Sequence, residues 1–226
     1  MTYKILIAVV FLVYCNGIKA QHMQQAVVPK WLSNVKIDGK LDEWAELKYE
    51  KQNNLWFALA NSDKYLYLAI KRDKNLSKVD RGGINFTLST DKKDKISFTY
   101  PVLLSSKPDF DVIRPQGISI IPDSIISVYN EHGIKAALVK ETGVNGLVYN
   151  IEFAIPLKLI RENLPDYDNQ VLHYAIILNG SSNTKAAALL MSSSIEAPTP
   201  ELREKVIDLY TRTEFKGTYN MVRKPE

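Results

Sequence analysis

The segment Tyr65-Leu66-Tyr67-Leu68-Ala69-Ile70-Lys71 constrains the fold of this chain more than any other, because it is apolar on both sides of an extended strand. Leu66, Leu68 and Ile70 fall on one side, Tyr65, Tyr67 and Ala69 on the other. A strand of this kind needs cover on both faces and belongs in the middle of a sheet. A second β-type run, Asn54 to Ala60, precedes it, and Asn61-Ser62-Asp63-Lys64 between them carries side chains that tolerate turn geometry. Together the two runs predict an antiparallel hairpin.

The same grammar recurs down the chain. Ile84 to Ser89 and Ile96 to Tyr100 flank the charged stretch Asp91 to Lys95. Ile134 to Lys140 and Leu147 to Ile155 flank a turn containing Asn145-Gly146, the strongest short hairpin signal. Leu172 to Leu178, Ala186 to Met191 and the tail from Phe215 to Val222 are also strand-like. Pro156 opens a short helix near 157–162, and Thr199-Pro200-Glu201 supplies a cap, a first-turn proline and an acid for a helix over 200–210. Four prolines from Pro101 to Pro122 exclude a central strand there and predict a long excursion. Short strands, recurrent turns and no alternation of strand with helix predict an all-β, antiparallel, jelly-roll-like β-sandwich of about eight or nine strands.

The first twenty residues have the pattern of an export signal. Lys4 precedes nine apolar residues, Ile5 to Val13, a run too short to span a bilayer, and polar Asn16 and Gln21 follow. Cleavage after Ala20 starts the mature chain at Gln21, with 21–33 as an N-terminal arm and 34–222 as one domain carrying the Pro-rich excursion 101–122. A competing reading makes Cys15 a lipid anchor, as in bacterial lipoproteins, but bulky Tyr14 stands where that processing usually has a small residue. Cleavage at Ala20 removes Cys15, the single cysteine, so the core holds without a disulfide in a compartment that permits them. It also removes Lys4 and Lys19 from a formal charge of +4, leaving +2. So small an excess does not steer a polyanion, which argues against nucleic acid as a partner. The expected location is secreted or periplasmic, within the cell envelope, with no transmembrane helix in the mature chain.

Three pieces in this order resemble the family 9 carbohydrate-binding modules and their DOMON-like relatives: Ile37-Asp38-Gly39-Lys40-Leu41-Asp42-Glu43-Trp44, Tyr65 to Ile70 through Asp73, and Tyr149-Asn150-Ile151-Glu152-Phe153-Ala154-Ile155-Pro156-Leu157. The resemblance implies a β-sandwich of the sort attached to secreted polysaccharide-degrading enzymes, some of which clasp a sugar between aromatic rings and some of which bind calcium structurally. This chain carries no recognisable catalytic domain beside the module.

A sugar presents apolar C–H faces with a rim of hydroxyls, so its site needs an exposed aromatic platform ringed by polar groups. Of the three tryptophans, Trp44 fits packing at one end of the core, Trp31 fits an anchor for the arm, and Trp56 alternates with Leu55 and Phe57 onto the outer surface of its strand. Trp56 is the candidate platform, with Asp73 and Arg81 as groups that bracket hydroxyls or else form a salt-bridged loop. Asp91 and Asp94 are interleaved with lysines, so a structural calcium is not indicated and no metal or cofactor is expected. Alternation points Glu152 outward between Ile151 and Phe153. His22, His132 and His173 lack zinc-ligand spacing, and Met191 with His173 is the sole pair for haem ligation. No Gly-x-Ser-x-Gly elbow surrounds the serines and no carboxylate pair identifies itself for glycoside hydrolysis. The reading is a secreted, non-catalytic carbohydrate-binding protein for a sugar or glycan; the alternative is a cell-envelope scaffold that meets a partner protein and binds no sugar.

Overall fold

Alternating apolar side chains sort the strands of this computed structural model into two layers, one facing the other across the core. The structure describes residues 25–26, 28–91, 94–101, 118–121, 125–127, 132–144, 146–165, 167, 171–181 and 199–225. In chain order these form β1 (Gln25–Ala26), β2 (Lys48–Glu50), β3 (Leu55–Asn61), β4 (Tyr65–Arg72), helix α1 (Ser77–Gly82), β5 (Ile84–Ser89) and β6 (Lys95–Tyr100). Then come β7 (Ile118–Ile121), β8 (Ile125–Ser127), β9 (Lys135–Gly143), β10 (Gly146–Pro156), helix α2 (Leu157–Asn163), β11 (Leu172–Leu178), helix α3 (Pro200–Tyr210) and β12 (Thr213–Tyr219). One sheet has the order β1-β12-β11-β5-β6-β7-β8 and the other β2-β3-β4-β10-β9. Apart from the parallel pairing of β1 with β12, each recorded strand pair is antiparallel. This is the expected antiparallel β-sandwich.

The hairpins expected at Asn61–Lys64 and Asp91–Lys95, and the one closed by Gly146, form as β3–β4, β5–β6 and β9–β10. Several elements depart from expectation. The strand β7 falls inside the Pro-rich excursion, between Pro115 and Pro122, so the proline-free tetrapeptide Ile118 to Ile121 is long enough to extend the sheet beside β6. The pieces β2 and β8 are three residues each, too short for periodicity to reveal. The loop expected after Asp73 contains α1. The expected leader at 1–20, the expected strand Ala186 to Met191 and most of the excursion lie outside the described residues.

Inner-face side chains from both sheets make one core. Leu55, Phe57 and Leu59 of β3, Leu66, Leu68 and Ile70 of β4, and Ile151, Phe153 and Ile155 of β10 meet Phe86, Phe98, Tyr174 and Phe215 from the opposite sheet. Aromatic rings bridge the layers, Phe57 to Phe215 at 4.8 Å and Phe98 to Phe153 at 5.7 Å between centroids. Each such buried side chain stabilises the fold by about 1.5–3 kcal/mol.

A second, smaller cluster covers the outer face of the five-stranded sheet. Trp44 packs there with Ala60, Tyr67, Ala69 and Ala154, flanked by Leu32, Val35, Ile37, Leu41 and Leu47 from the N-terminal segment. This is why β4 is apolar on both sides. Glu152 points to that outer face as alternation requires, yet is 0% exposed because the segment lies over it. Its Oε2 accepts from the backbone N–H of Asp38 at 3.1 Å and of Gly39 at 2.9 Å, and its Oε1 from the Trp44 indole at 2.8 Å. Gly39 holds φ +78°, and a Cβ there would lie 2.6 Å from Val139 Cγ2, so the turn admits only glycine on two counts. Burial pushes the Glu152 carboxyl above its usual range, against the pull of those three donors.

At one end of the sandwich a polar cluster holds α3. Thr199 caps the helix through Leu202 N, and Pro200 starts it, as the sequence predicts. Asp208 accepts from Lys78 Nζ at 2.9 Å and Asn75 Nδ2 at 2.7 Å and pairs with Arg72 at 3.4 Å. Arg72 also donates to the carbonyl of Asn53. Lys78 and Arg72 are buried while Asp208 keeps about a third of its side chain in solvent. Burial works to raise the Asp208 carboxyl, but the bonds from Lys78 and Asn75 and the charges of Lys78 and Arg72 hold it below its usual range.

Replacing Glu152 with Ala leaves two backbone donors and an indole N–H buried without an acceptor, and is expected to cost about 3 kcal/mol in urea unfolding, accompanied by red-shifted Trp44 emission. Replacing Asp208 with Asn is expected to cost about 1–2 kcal/mol at neutral pH, less than for a fully buried pair because part of Asp208 meets solvent. A carboxyl whose folded pKa is depressed contributes stability above its unfolded value, here 3.8, and loses it as the pH falls through the folded value. The difference between wild type and Asp208→Asn should therefore shrink below that value, as urea midpoints across pH would show.

Candidate functional site

The N-terminal segment covers only part of the outer face of the five-stranded sheet, and beyond its edge Trp56 is partly exposed. The strand register puts Tyr49, Trp56 and Lys71 in one row across β2, β3 and β4. The rings of Tyr49 and Trp56 lie 4.8 Å apart at a 40° tilt, and Tyr49 is 44% exposed. The Tyr49 hydroxyl donates to Asn54 Oδ1 at 3.0 Å, which fixes the ring at the start of the β3 strand. Asn150 continues the row opposite Lys71; its Nδ2 donates to Glu141 at 2.8 Å while its Oδ1 is buried without a hydrogen-bond partner. The row thus offers two rings and an exposed ammonium on a stiff sheet, the ingredients for stacking on a sugar face and reading its hydroxyls, with the Asn150 amide buried beneath it.

The other candidates are dispersed. Asp73 lies two residues past Lys71, half-buried, with one carboxylate oxygen lacking a hydrogen-bond partner. Arg81 is exposed on α1, whose packing partners include α3 and β11 of the other sheet, so the structure does not bring it beside Trp56 on the row described above. Trp44 and Glu152 are structural partners, each buried by the other's segment. Asp91 binds His173 Nε2 at 2.7 Å, His132 is exposed elsewhere, and Met191 lies outside the described residues. Among the described residues no group of three or more His, Cys, Asp or Glu is placed to hold a metal ion. Tyr49, which completes the aromatic pair, escaped the sequence reading because β2 is three residues long; its one signal is an aromatic residue between two charges, Lys48 and Glu50.

No protein-family model and no curated protein matches the chain. Among solved structures it is similar to a carbohydrate binding module family 9 (CBM9) from Caldicellulosiruptor kristjanssonii in complex with glucose, at 14% identity and a TM-score of 0.37, over 70% of this chain and 81% of that one. A likeness this slight says nothing about which residues of this chain meet a ligand.

The three tryptophans differ in access: Trp44 is 7% exposed, whereas Trp31 and Trp56 are each partly open. Iodide should therefore quench wild-type emission in part, and the double variant Trp31→Phe/Trp56→Phe should retain a blue-shifted emission that resists iodide. Full quenching of that variant would contradict the buried indole–carboxylate bond.

Proposed function

We propose that this chain is an exported, non-catalytic binding module for a saccharide, engaged through the Tyr49–Trp56 ring pair, without a metal or cofactor. The observation that carries the reading is the pair itself: two large aromatic rings in tilted contact and left partly open on a rigid sheet, in register with Lys71. Rings of this kind offer broad contact at little entropic cost, because the sheet fixes them before a ligand arrives. The open, shallow face supports weak binding to an extended glycan rather than enclosure of a small molecule. Export to the periplasm or the medium rests on the leader pattern at 1–20, and the family resemblance of Ile37 to Trp44, Tyr65 to Asp73 and Tyr149 to Leu157 supports the saccharide as ligand class.

A glycan array followed by calorimetry with the responding oligosaccharide tests this. Trp56→Ala is expected to weaken binding on the order of tenfold, the worth of one well-placed ring contact, and Tyr49→Ala to weaken it less, both with unchanged unfolding midpoints. A wild-type protein that meets no neutral glycan, or a response indifferent to Trp56→Ala, would overturn the proposal and leave the cell-envelope scaffold as the reading.

A further inference from the structure

A second surface, at the opposite end of strands β3 and β4 on the same sheet face, is built from three separate parts of the chain. Asn61, almost fully buried at the end of β3, ties them together. Its backbone carbonyl accepts from Leu32 N at 3.0 Å and its N–H donates to Lys30 O at 2.9 Å, so Trp31 is held against the hairpin. Its Oδ1 accepts from the Tyr219 hydroxyl at 2.8 Å and from Val222 N at 2.9 Å, and its Nδ2 donates to Val222 O at 2.9 Å. The C-terminal tail is thereby drawn alongside, with Lys224 reaching the same place. Ser62 Oγ accepts from Lys64 N and Tyr65 N, at 3.2 and 3.1 Å, and sets the turn that forms the third wall.

Between these walls lies a cleft of about 400 Å³ lined by Trp31, Tyr65, Tyr67, Asp63, Lys64 and Lys224 among others. A second cleft of about 280 Å³ shares Val35, Tyr65 and Tyr67 with the first and adds Lys36 and Lys135. The Lys135 ammonium lies 5.4 Å from the centre of the Tyr65 ring, and Lys36 pairs with Asp38 at 2.8 Å. The two neighbouring clefts, which share three lining residues, therefore set Trp31 and two tyrosines among four lysines and a single lining carboxylate, Asp63. Aromatic faces select a ring with apolar C–H edges, and the lysines select a negative charge on it.

We propose that this aromatic, lysine-rimmed cleft is a binding site for an acidic saccharide, a chain of uronic acid residues whose sugar faces meet Trp31 and Tyr65 while Lys64, Lys135 and Lys224 receive the carboxylates. The site is independent of the Tyr49–Trp56 face: no residue that lines it belongs to that row.

Tetramers of galacturonate, glucuronate and mannuronate, with maltotetraose as the neutral control and inorganic sulfate as the ionic one, are titrated into the full chain while tryptophan emission is followed. At least one uronate tetramer is expected to bind saturably, with affinity that falls as salt rises to about 0.5 M, where charges are screened within a few ångströms. The double variant Lys64→Gln/Lys224→Gln leaves the bonds of Asn61 in place and should weaken binding roughly five- to tenfold, the combined effect of two exposed charge contacts. Trp31→Ala should weaken it about tenfold, and Trp31→Phe should restore most of the loss, which separates stacking from loosening of the arm. Trp56→Ala should leave uronate binding unchanged, so this site and the neutral-glycan face stand or fall separately. Failure of all three uronates to bind, equal binding of maltotetraose, displacement by sulfate at equal concentration, or indifference to the lysine variant would each overturn the assignment.

Discussion

The buried carboxylate of Glu152 is the constraint on which the outer half of this molecule depends. A charge in that position is tolerable only where donors surround it, and all three come from one stretch, the Asp38–Gly39 turn and Trp44. The bond is therefore mutual: the turn and the indole satisfy the acid, and the acid fixes where the N-terminal segment crosses the sheet. Once that segment is fixed, Trp44 and its neighbours bury the outer side of β4 and β10, and the sandwich gains a third, partial layer. The same carboxylate explains why Gly39 must be glycine, since the turn approaches Val139 closely while aiming its N–H groups at Glu152.

Two other polar knots close the ends of the sandwich in the same manner. Asn61 joins the N-terminal arm, β12 and the C-terminal tail through both its backbone and its amide. Asp208 joins α3 to the end of β4 and the segment that follows it through Arg72, Asn75 and Lys78. In each, one short side chain satisfies groups from two or more distant segments, which substitutes for cross-links in a chain whose single cysteine is Cys15. The two proposed ligand surfaces follow from where these tethers stop. The Tyr49–Trp56 pair is open because the cover anchored by Glu152 ends before it, and the lysine-rimmed cleft is open because the arm and the tail meet at Asn61 without filling the space between them and Tyr65.

Much of the framework was legible in the residues. The hairpin at Asn61–Lys64, the strands β5 and β11, and α3 with its Thr199 cap and Pro200 emerged within a residue or two, because turn chemistry and alternation act over short distances. The strand β7 was hidden among prolines, and β2 and β8 are too short for a period to show. Of the site, Trp56 could be placed on the outer side of its strand by counting, but its partner Tyr49 could not, since the two meet only through the register of β2 with β3. Arg81 is near Asp73 in sequence, but α1 carries it toward the other sheet.

The sequence by itself determined which segments extend, where they turn and which of their faces are apolar, since these depend on each residue and its immediate neighbours. It required that β4 be covered twice. Only the tertiary structure decided what does the covering, that Glu152 is buried rather than solvated, and that Trp31, Lys64 and Lys224 share one cleft. Those outcomes rest on hydrogen bonds between residues more than a hundred positions apart, Glu152 with Gly39 and Asn61 with Val222. No local pattern encodes such a meeting; it exists only once both sheets have closed on the core.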